Sequence, residues 1–249
     1  MSESGDQGAG RPRRLRATHA GGALAGAPVP RGFFGNIPGP VAILAGLLAV
    51  IFVALALSPP LVEYAIGERF GLSPQRLIAG PAASGGVFRL IAPVFTHIFL
   101  HATIAHLLFN LLWLLVFGTP IARRFGSAWR FYLFFALSGA AGGLFFSLFH
   151  FDDPTLLIGA SGGITGLLGG LVRFAFHRPD SRPSKSNGVL GLTDRSVLTW
   201  SLVVILMNAS VAILGPRVGA GEADIAWQAH VGGYLFGLLA FPLFDPGKR

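Results

Sequence analysis

The stretch LIGASGGITGLLGG, from Leu157 to Gly170, sets a single serine among glycines inside an apolar run. Glycine weakens a helix relative to alanine, so this density of glycines needs a reason. Small residues let neighbouring helices approach closely in a membrane, and they also leave space around a reactive side chain. We expect both roles here, with substrate backbone approaching at Gly162. Ser161 itself is then either a small residue that only packs between helices or a nucleophile. The rest of the sequence distinguishes these two interpretations.

The composition is that of a membrane protein. Of 249 residues, 52% are hydrophobic and only 12% are charged, a more apolar balance than that of a soluble domain. A membrane-spanning helix needs roughly 20 mostly apolar residues. Six segments meet this requirement when helix ends are allowed a few residues of extension: Pro40–Leu57, Thr103–Gly118, Phe131–Phe149, Leu157–Phe176, Val197–Leu214 and Trp227–Phe244. The predicted fold class is therefore an all-α membrane protein with six transmembrane helices over residues 39–246.

The first 38 residues are rich in Gly, Pro and Arg and show no hydrophobic periodicity, which predicts a disordered tail. Residues 247–249 form a second, very short tail. With the N-terminus in the cytoplasm, fifteen basic residues fall on the inner side and four on the outer side, as the positive-inside rule requires. The outer four are Arg69, Arg76, Arg89 and Arg217. Both termini are predicted to be cytoplasmic. Because the basic residues alternate with apolar segments, the net charge of +8 reports topology and no nucleic-acid partner is expected.

This topology places four polar residues at one depth. Ser161 is the fifth residue of the fourth predicted helix, and His230 is the fourth residue of the sixth. At about 1.5 Å per residue, both lie roughly 5–10 Å below the outer surface. His106 enters the second helix at a similar depth, and Asn110 lies one turn further on the same face. Polar groups in a bilayer are costly and usually serve a function.

The four side chains form a set suited to acyl transfer. Ser161 supplies a nucleophile and His230 a base that can take its proton. His106 and Asn110 supply donors for an oxyanion, together with backbone N–H groups. The alternatives are weaker, because all eleven acidic residues lie outside the predicted helices or at their ends, and the chain has no cysteine and no His-Glu pair. An aspartyl protease, a thiol nucleophile and a zinc protease are thereby excluded, and no metal or cofactor is expected.

Three segments resemble the signatures of the rhomboid family of intramembrane serine proteases: HATIAHLLFNLLW (His101–Trp113), GASGG (Gly159–Gly163) and AHVGGYLFG (Ala229–Gly237). The resemblance covers about residues 40–245 and implies a rhomboid-like six-helix bundle. It implies Ser161 as nucleophile, His230 as general base and then acid, and His106 and Asn110 as oxyanion donors. Gly159 would shape the turn before the serine, and Gly162 follows it. The aromatic residue that often lies four positions after the serine in that family is Thr165 here.

The resemblance predicts an endopeptidase that cleaves transmembrane segments of other membrane proteins, with a Ser–His dyad and with the lipid bilayer as its surroundings. The loop Gly215–Ala226 is the predicted lid over the site. We expect a multi-pass protein of a bacterial inner membrane, since Glu3 and Asp6 argue against an organelle transit peptide. The oligomeric state and the substrate stay open.

Each part of this prediction has an alternative interpretation. Gly162, Gly166 and Gly170 form one small-residue ladder, and Gly233 and Gly237 another, so packing alone explains them. His106 and Asn110 could be only an interhelical hydrogen-bonding pair. His101 and His97 are spaced to share a helix face, but without acids or cysteines nearby we expect them to order the first outer loop. The competing functions are a non-catalytic rhomboid-like protein that binds membrane clients and a small-solute or metal transporter.

Overall fold

The chain folds into ten α-helices over the residues that the computed structural model describes, which are 37–151, 154–177, 182, 188–214 and 226–247. In chain order they are α1 (Gly39–Ala56), α2 (Pro60–Phe70), α3 (Pro74–Ser84), α4 (Val87–Thr96), α5 (Ile104–Trp113), α6 (Thr119–Phe125), α7 (Ala128–Ser147), α8 (Ser161–Val172), α9 (Arg195–Leu214) and α10 (Trp227–Phe244). One 3-10 turn, His97–Phe99, follows α4, and a π-helical segment, Leu114–Gly118, joins α5 to α6. The expectation of a helical protein is confirmed, and the tail at residues 1–36 and most of the predicted lid lie outside the described residues.

Among the described residues, three helical segments are long and apolar enough to cross a membrane: α1, the continuous α5–α6 segment Ile104–Phe125, and α7. Two of them agree with the predicted bounds within a few residues. The second continues to Phe125 instead of ending at Gly118, because the π-helical segment carries the helix onward. The helices α8, α9 and α10 lie where the fourth, fifth and sixth spans were expected. The count of six spans and the side on which each terminus lies stay predictions.

The predicted start of the fourth helix at Leu157 is wrong. The backbone of Leu157 pairs instead with that of Leu72 through two hydrogen bonds of 2.8 and 3.0 Å. Gly159 then adopts a positive φ of 122°, which an α-helix cannot contain. The helix consequently begins at Ser161, which is its first residue and not its fifth.

The segment predicted as the first outer loop, Ser58 to Pro93, contains α2, α3 and most of α4. Proline at the first position begins both α2 and α3, where the missing N–H costs nothing. The Ser73 hydroxyl caps α3 by accepting from Arg76 N at 3.3 Å. Thr96 donates to the Phe70 carbonyl at 2.9 Å and so ties the end of α4 to the end of α2. Between α2 and α3 lies Leu72, which holds the segment before Ser161.

The centre of the fold is formed by α7, α8 and α10, whose glycines allow close contact. A Cβ built on Gly233 would overlap the carbonyl oxygen of Gly162, and one on Gly237 would overlap the carbonyl of Gly166. The two predicted small-residue ladders are therefore packed against each other. Such close approach maximises van der Waals contact between helices.

The opposite end of the bundle is closed by aromatic rings and one ion pair. Phe125 stacks on Phe241 with centroids 5.7 Å apart and meets Phe134 edge-on at 5.4 Å. Next to them, Arg124 donates two hydrogen bonds of 2.8 Å each to the carboxylate of Asp245. The Asp245 side chain is fully buried. This cluster ties α6 to the end of α10.

Candidate active site

The segment before Ser161 is held by backbone hydrogen bonds to Leu72 and to His97. Leu157 pairs with Leu72, and the N–H of Gly159 donates to the carbonyl of His97 at 2.9 Å. Helix α8 starts directly after this extended segment, so Ser161 occupies its first turn. The first N–H groups of a helix have no partner within the helix and carry the positive end of its dipole. Ser161 thus stands beside N–H groups that favour a developing negative charge.

Gly159 brings Ser161 and His106 close to each other. A Cβ built on Gly159 would lie 2.7 Å from His106 Nε2 and 3.9 Å from Ser161 Oγ. His106 Nε2 and Ser161 Oγ therefore both lie near the position that a side chain at residue 159 would occupy. The positive φ of 122° is a second reason for glycine at this position. The role expected for Gly159, shaping the turn before the serine, stays a prediction.

His106 and Asn110 lie one turn apart on α5, as predicted. Thr103 caps this helix by accepting from the backbone N–H of His106 at 3.1 Å. The Asn110 side chain is 5% exposed and donates to the carbonyl of His106 at 2.9 Å. An amide nitrogen has two N–H groups, so this bond orients the side chain while leaving one donor for a further acceptor.

His101 packs against His106 from the loop before α5. Their ring centroids are 5.0 Å apart in an edge-to-face arrangement. His101 is 7% exposed, and within the described residues neither of its ring nitrogens has a hydrogen-bond partner. His101 therefore packs against the His106 ring, and its supporting role stays a prediction.

His230 reaches the site from the first turn of α10. The neighbouring Ala229 contacts α8, since a Cβ on Gly162 would lie 3.4 Å from the Ala229 carbonyl oxygen. The first turns of α8 and α10 therefore lie side by side, with Ser161 on one and His230 on the other. Within the described residues the Ser161 hydroxyl forms no hydrogen bond with the His230 imidazole. Such bonds often tighten only when substrate is bound.

At Gly162, where substrate backbone is expected to approach, the geometry favours helix packing. Its missing side chain would point at Ala229 and at Gly139 of α7, with contacts of 3.4 and 3.7 Å. Gly162 thus belongs to the three-helix packing interface. Clearance beside the nucleophile is provided by Gly159.

Asn208 of α9 contacts the candidate base His230, and the sequence analysis missed this contact. Its Oδ1 lies 3.0 Å from Nδ1 of His230. The signal was present in the sequence, because Asn208 places an amide within the apolar run VLTWSLVVILMNASVAIL. A polar side chain in such a run is a candidate functional residue by default. It could not be paired with His230 from spacing alone, since the two residues lie on different helices.

Comparisons with known proteins bear on the family of this chain. Residues 84–245 match the family model described as the Rhomboid domain. The chain is 33% identical over 171 residues to "Rhomboid protease GluP" of Bacillus subtilis (strain 168), which covers 69% of this chain and 28% of that protein. It is 32% identical over 146 residues to "RHOMBOID-like protein 1" of Arabidopsis thaliana, covering 59% of this chain and 32% of that protein.

A third relative is "Rhomboid protease GlpG" of Serratia proteamaculans (strain 568), at 31% identity over 145 residues. That alignment covers 58% of this chain and 45% of that protein. The chain thus spans less than half the length of each of these three relatives. The matched region nevertheless contains every candidate site residue, from His101 to His230.

Proposed function

The chain belongs to the rhomboid family, and we propose from this premise that it is an intramembrane serine endopeptidase that cleaves transmembrane segments of other membrane proteins. The observation that carries the proposal is the position of Ser161 in the first turn of α8, across Gly159 from His106 and beside the first turn of α10 with His230. This proximity supports the proposed roles of Ser161 as nucleophile, His230 as base and His106 as oxyanion donor.

The proposed reaction is a two-step acyl transfer. Ser161 Oγ attacks a backbone carbonyl carbon of the substrate, and its proton passes to His230. The carbonyl oxygen becomes an oxyanion, stabilised by His106, Asn110 and the free N–H groups of α8. The C–N bond then breaks, and His230 returns the proton to the leaving amine. Water attacks the resulting ester with His230 again acting as base, which releases the second product and restores Ser161.

The proposed site provides the polar surroundings that peptide hydrolysis inside a membrane requires. Water is scarce in a bilayer, so a peptide bond there is hydrolysed only where a protein provides a polar site. We place six spans in the membrane with both termini in the cytoplasm and the site near the outer face. This orientation follows from the distribution of the nineteen basic residues. We also place the protein in a bacterial inner membrane.

The test is labelling and cleavage by the purified full-length chain in detergent. A serine-reactive fluorophosphonate should label the wild-type protein and leave Ser161→Ala unlabelled. Ser161→Ala and His230→Ala should each abolish cleavage of a model transmembrane substrate, and the double variant should lose little more, because the pair acts as a unit. A folded wild-type chain that neither labels nor cleaves would instead support a non-catalytic protein that binds membrane clients.

A further inference from the structure

The imidazole of His230 is held by an amide whose own orientation is fixed. Asn208 Nδ2 donates to the carbonyl of Val204 at 2.8 Å, one turn back on α9. With the nitrogen engaged there, the amide presents its oxygen to His230, and Oδ1 lies 3.0 Å from Nδ1. A carbonyl oxygen only accepts hydrogen bonds. Nδ1 of His230 is therefore the donor in this pair.

This bond selects one of the two tautomers of neutral histidine. A neutral imidazole carries a single proton, so a proton on Nδ1 leaves Nε2 with a free lone pair. A general base needs such a lone pair to accept the proton of a serine hydroxyl. The opposite tautomer would present an N–H to the serine and could not act. Asn208 thus favours the form of His230 that is competent as a base.

The contact lies on a continuous face of α9. Val197, Ser201, Val204 and Asn208 recur at spacings of three and four residues, which places them on one side of the helix. The two valines pack with Tyr234 of α10 in a buried cluster. The Ser201 hydroxyl hydrogen-bonds that of Tyr234 at 2.7 Å. Helix α9 therefore meets α10 through the Ser201–Tyr234 and Asn208–His230 hydrogen bonds, and the second of these involves His230.

The position that often supplies an aromatic ring beside the catalytic histidine in the rhomboid family offers none here. It is occupied by Thr165, whose hydroxyl donates within its own helix to the carbonyls of Ser161 and Gly162, at 2.9 and 3.0 Å. Thr165 has no ring to stack on His230. The imidazole of His230 is then oriented by its hydrogen bond with Asn208 of α9.

We propose that Asn208 is a positioning residue for His230, an inference that rests on the proposed protease function. It holds the imidazole with Nδ1 protonated and Nε2 free toward Ser161. When the proton of Ser161 Oγ moves to Nε2, Nδ1 keeps its own proton and continues to donate to Asn208 Oδ1. The amide dipole stabilises the resulting imidazolium without itself taking up a proton.

The experiment combines cleavage kinetics with nitrogen NMR of the histidine-labelled full-length chain in detergent, the His230 signal being assigned by comparison with His230→Ala. Three variants are compared. Asn208→Leu removes the acceptor, Asn208→Asp keeps an oxygen acceptor at the same position, and Ser201→Ala removes the other α9–α10 bond as a matched control. Asn208→Leu should lower kcat about 10- to 100-fold, part of what a general base contributes, with KM little changed.

The NMR spectrum should show the Nδ1-protonated tautomer in the wild type and a mixture of tautomers in Asn208→Leu. Asn208→Asp should restore most of kcat, and Ser201→Ala should keep wild-type kcat and tautomer. An unchanged tautomer in Asn208→Leu, or an equal loss of kcat in Ser201→Ala, would overturn the inference. Failure of the protease proposal is distinguishable, because an inactive wild type can still show the tautomer shift.

Discussion

Gly159 and His106 are in direct contact, so that a Cβ on the glycine would lie 2.7 Å from Nε2 of the histidine. Real Cβ atoms do not approach a ring nitrogen this closely, and the ring is itself backed by His101 at 5.0 Å. A side chain at residue 159 would therefore collide with His106, close to Ser161 Oγ. The turn before Ser161 is part of the site.

Gly159→Ala should abolish most cleavage. The added methyl group would displace His106, and the φ of 122° is strained for any residue with a Cβ, at about 1–3 kcal/mol. The measurement is kcat/KM together with the fluorophosphonate labelling rate. Gly46→Ala is the matched control, since nothing lies within 4 Å of the Cβ built there. Equal activities of the two variants would refute the proposed role of Gly159.

Loss of an oxyanion donor should slow the reaction without preventing it. We expect His106→Ala and Asn110→Leu each to reduce kcat by about 10- to 1000-fold, the range for one donor. Labelling of Ser161 should persist at a lower rate. Leu108→Ala serves as the control, because Leu108 lies on the same helix with 56% of its surface exposed. Unchanged kinetics in both variants would leave the pair with a packing role only.

Alanine substitutions at the packing glycines Gly233 and Gly162 should differ in their effect on stability. Gly233→Ala should lower the melting temperature strongly and reduce cleavage with it, because the new methyl group would overlap the carbonyl of Gly162. Gly162→Ala should melt within a few degrees of the wild type and keep most of its activity, since its nearest contact would be 3.4 Å. Paired melting and cleavage assays on the same samples decide this. A large loss of cleavage in a stable Gly162→Ala would restore the interpretation that substrate passes at this position.

The buried ion pair should matter for stability and not for chemistry. Asp245→Asn leaves Arg124 without its anionic partner in a site where the arginine side chain is only 18% exposed, which should cost about 3 kcal/mol. Adding Arg124→Gln should recover part of the loss. The measurements are denaturation in detergent and kcat of the folded fraction. Asp245 lies roughly 22 Å along α10 from His230, so a large fall in kcat of a still-folded variant would contradict this assignment.

The residues of the site could be named from the sequence because polar side chains are rare in apolar runs. Ser161, His230, His106 and Asn110 stand out for that reason, and helix periodicity places the last two on one face. The same rule should have selected Asn208. It was missed because an isolated asparagine has no motif, and its partner His230 lies on another helix.

The sequence alone, through its hydrophobicity and charge, determined that this chain is an apolar, helical protein. It also determined that a serine and a histidine lie at comparable positions in two of the helices. These properties are local or additive along the chain, so they can be read without knowing which segments touch. Only the tertiary structure decided that α8 starts at Ser161, since pairing of Leu157 with Leu72 replaces the first helical turn. It also decided that Gly159 lies against His106 while Gly162 packs against neighbouring helices, and that Asn208 hydrogen-bonds His230. Each of these features depends on which atoms from distant parts of the chain come within contact distance. Those contacts are set by the close packing of helices, and the spacing of residues in the sequence does not encode them.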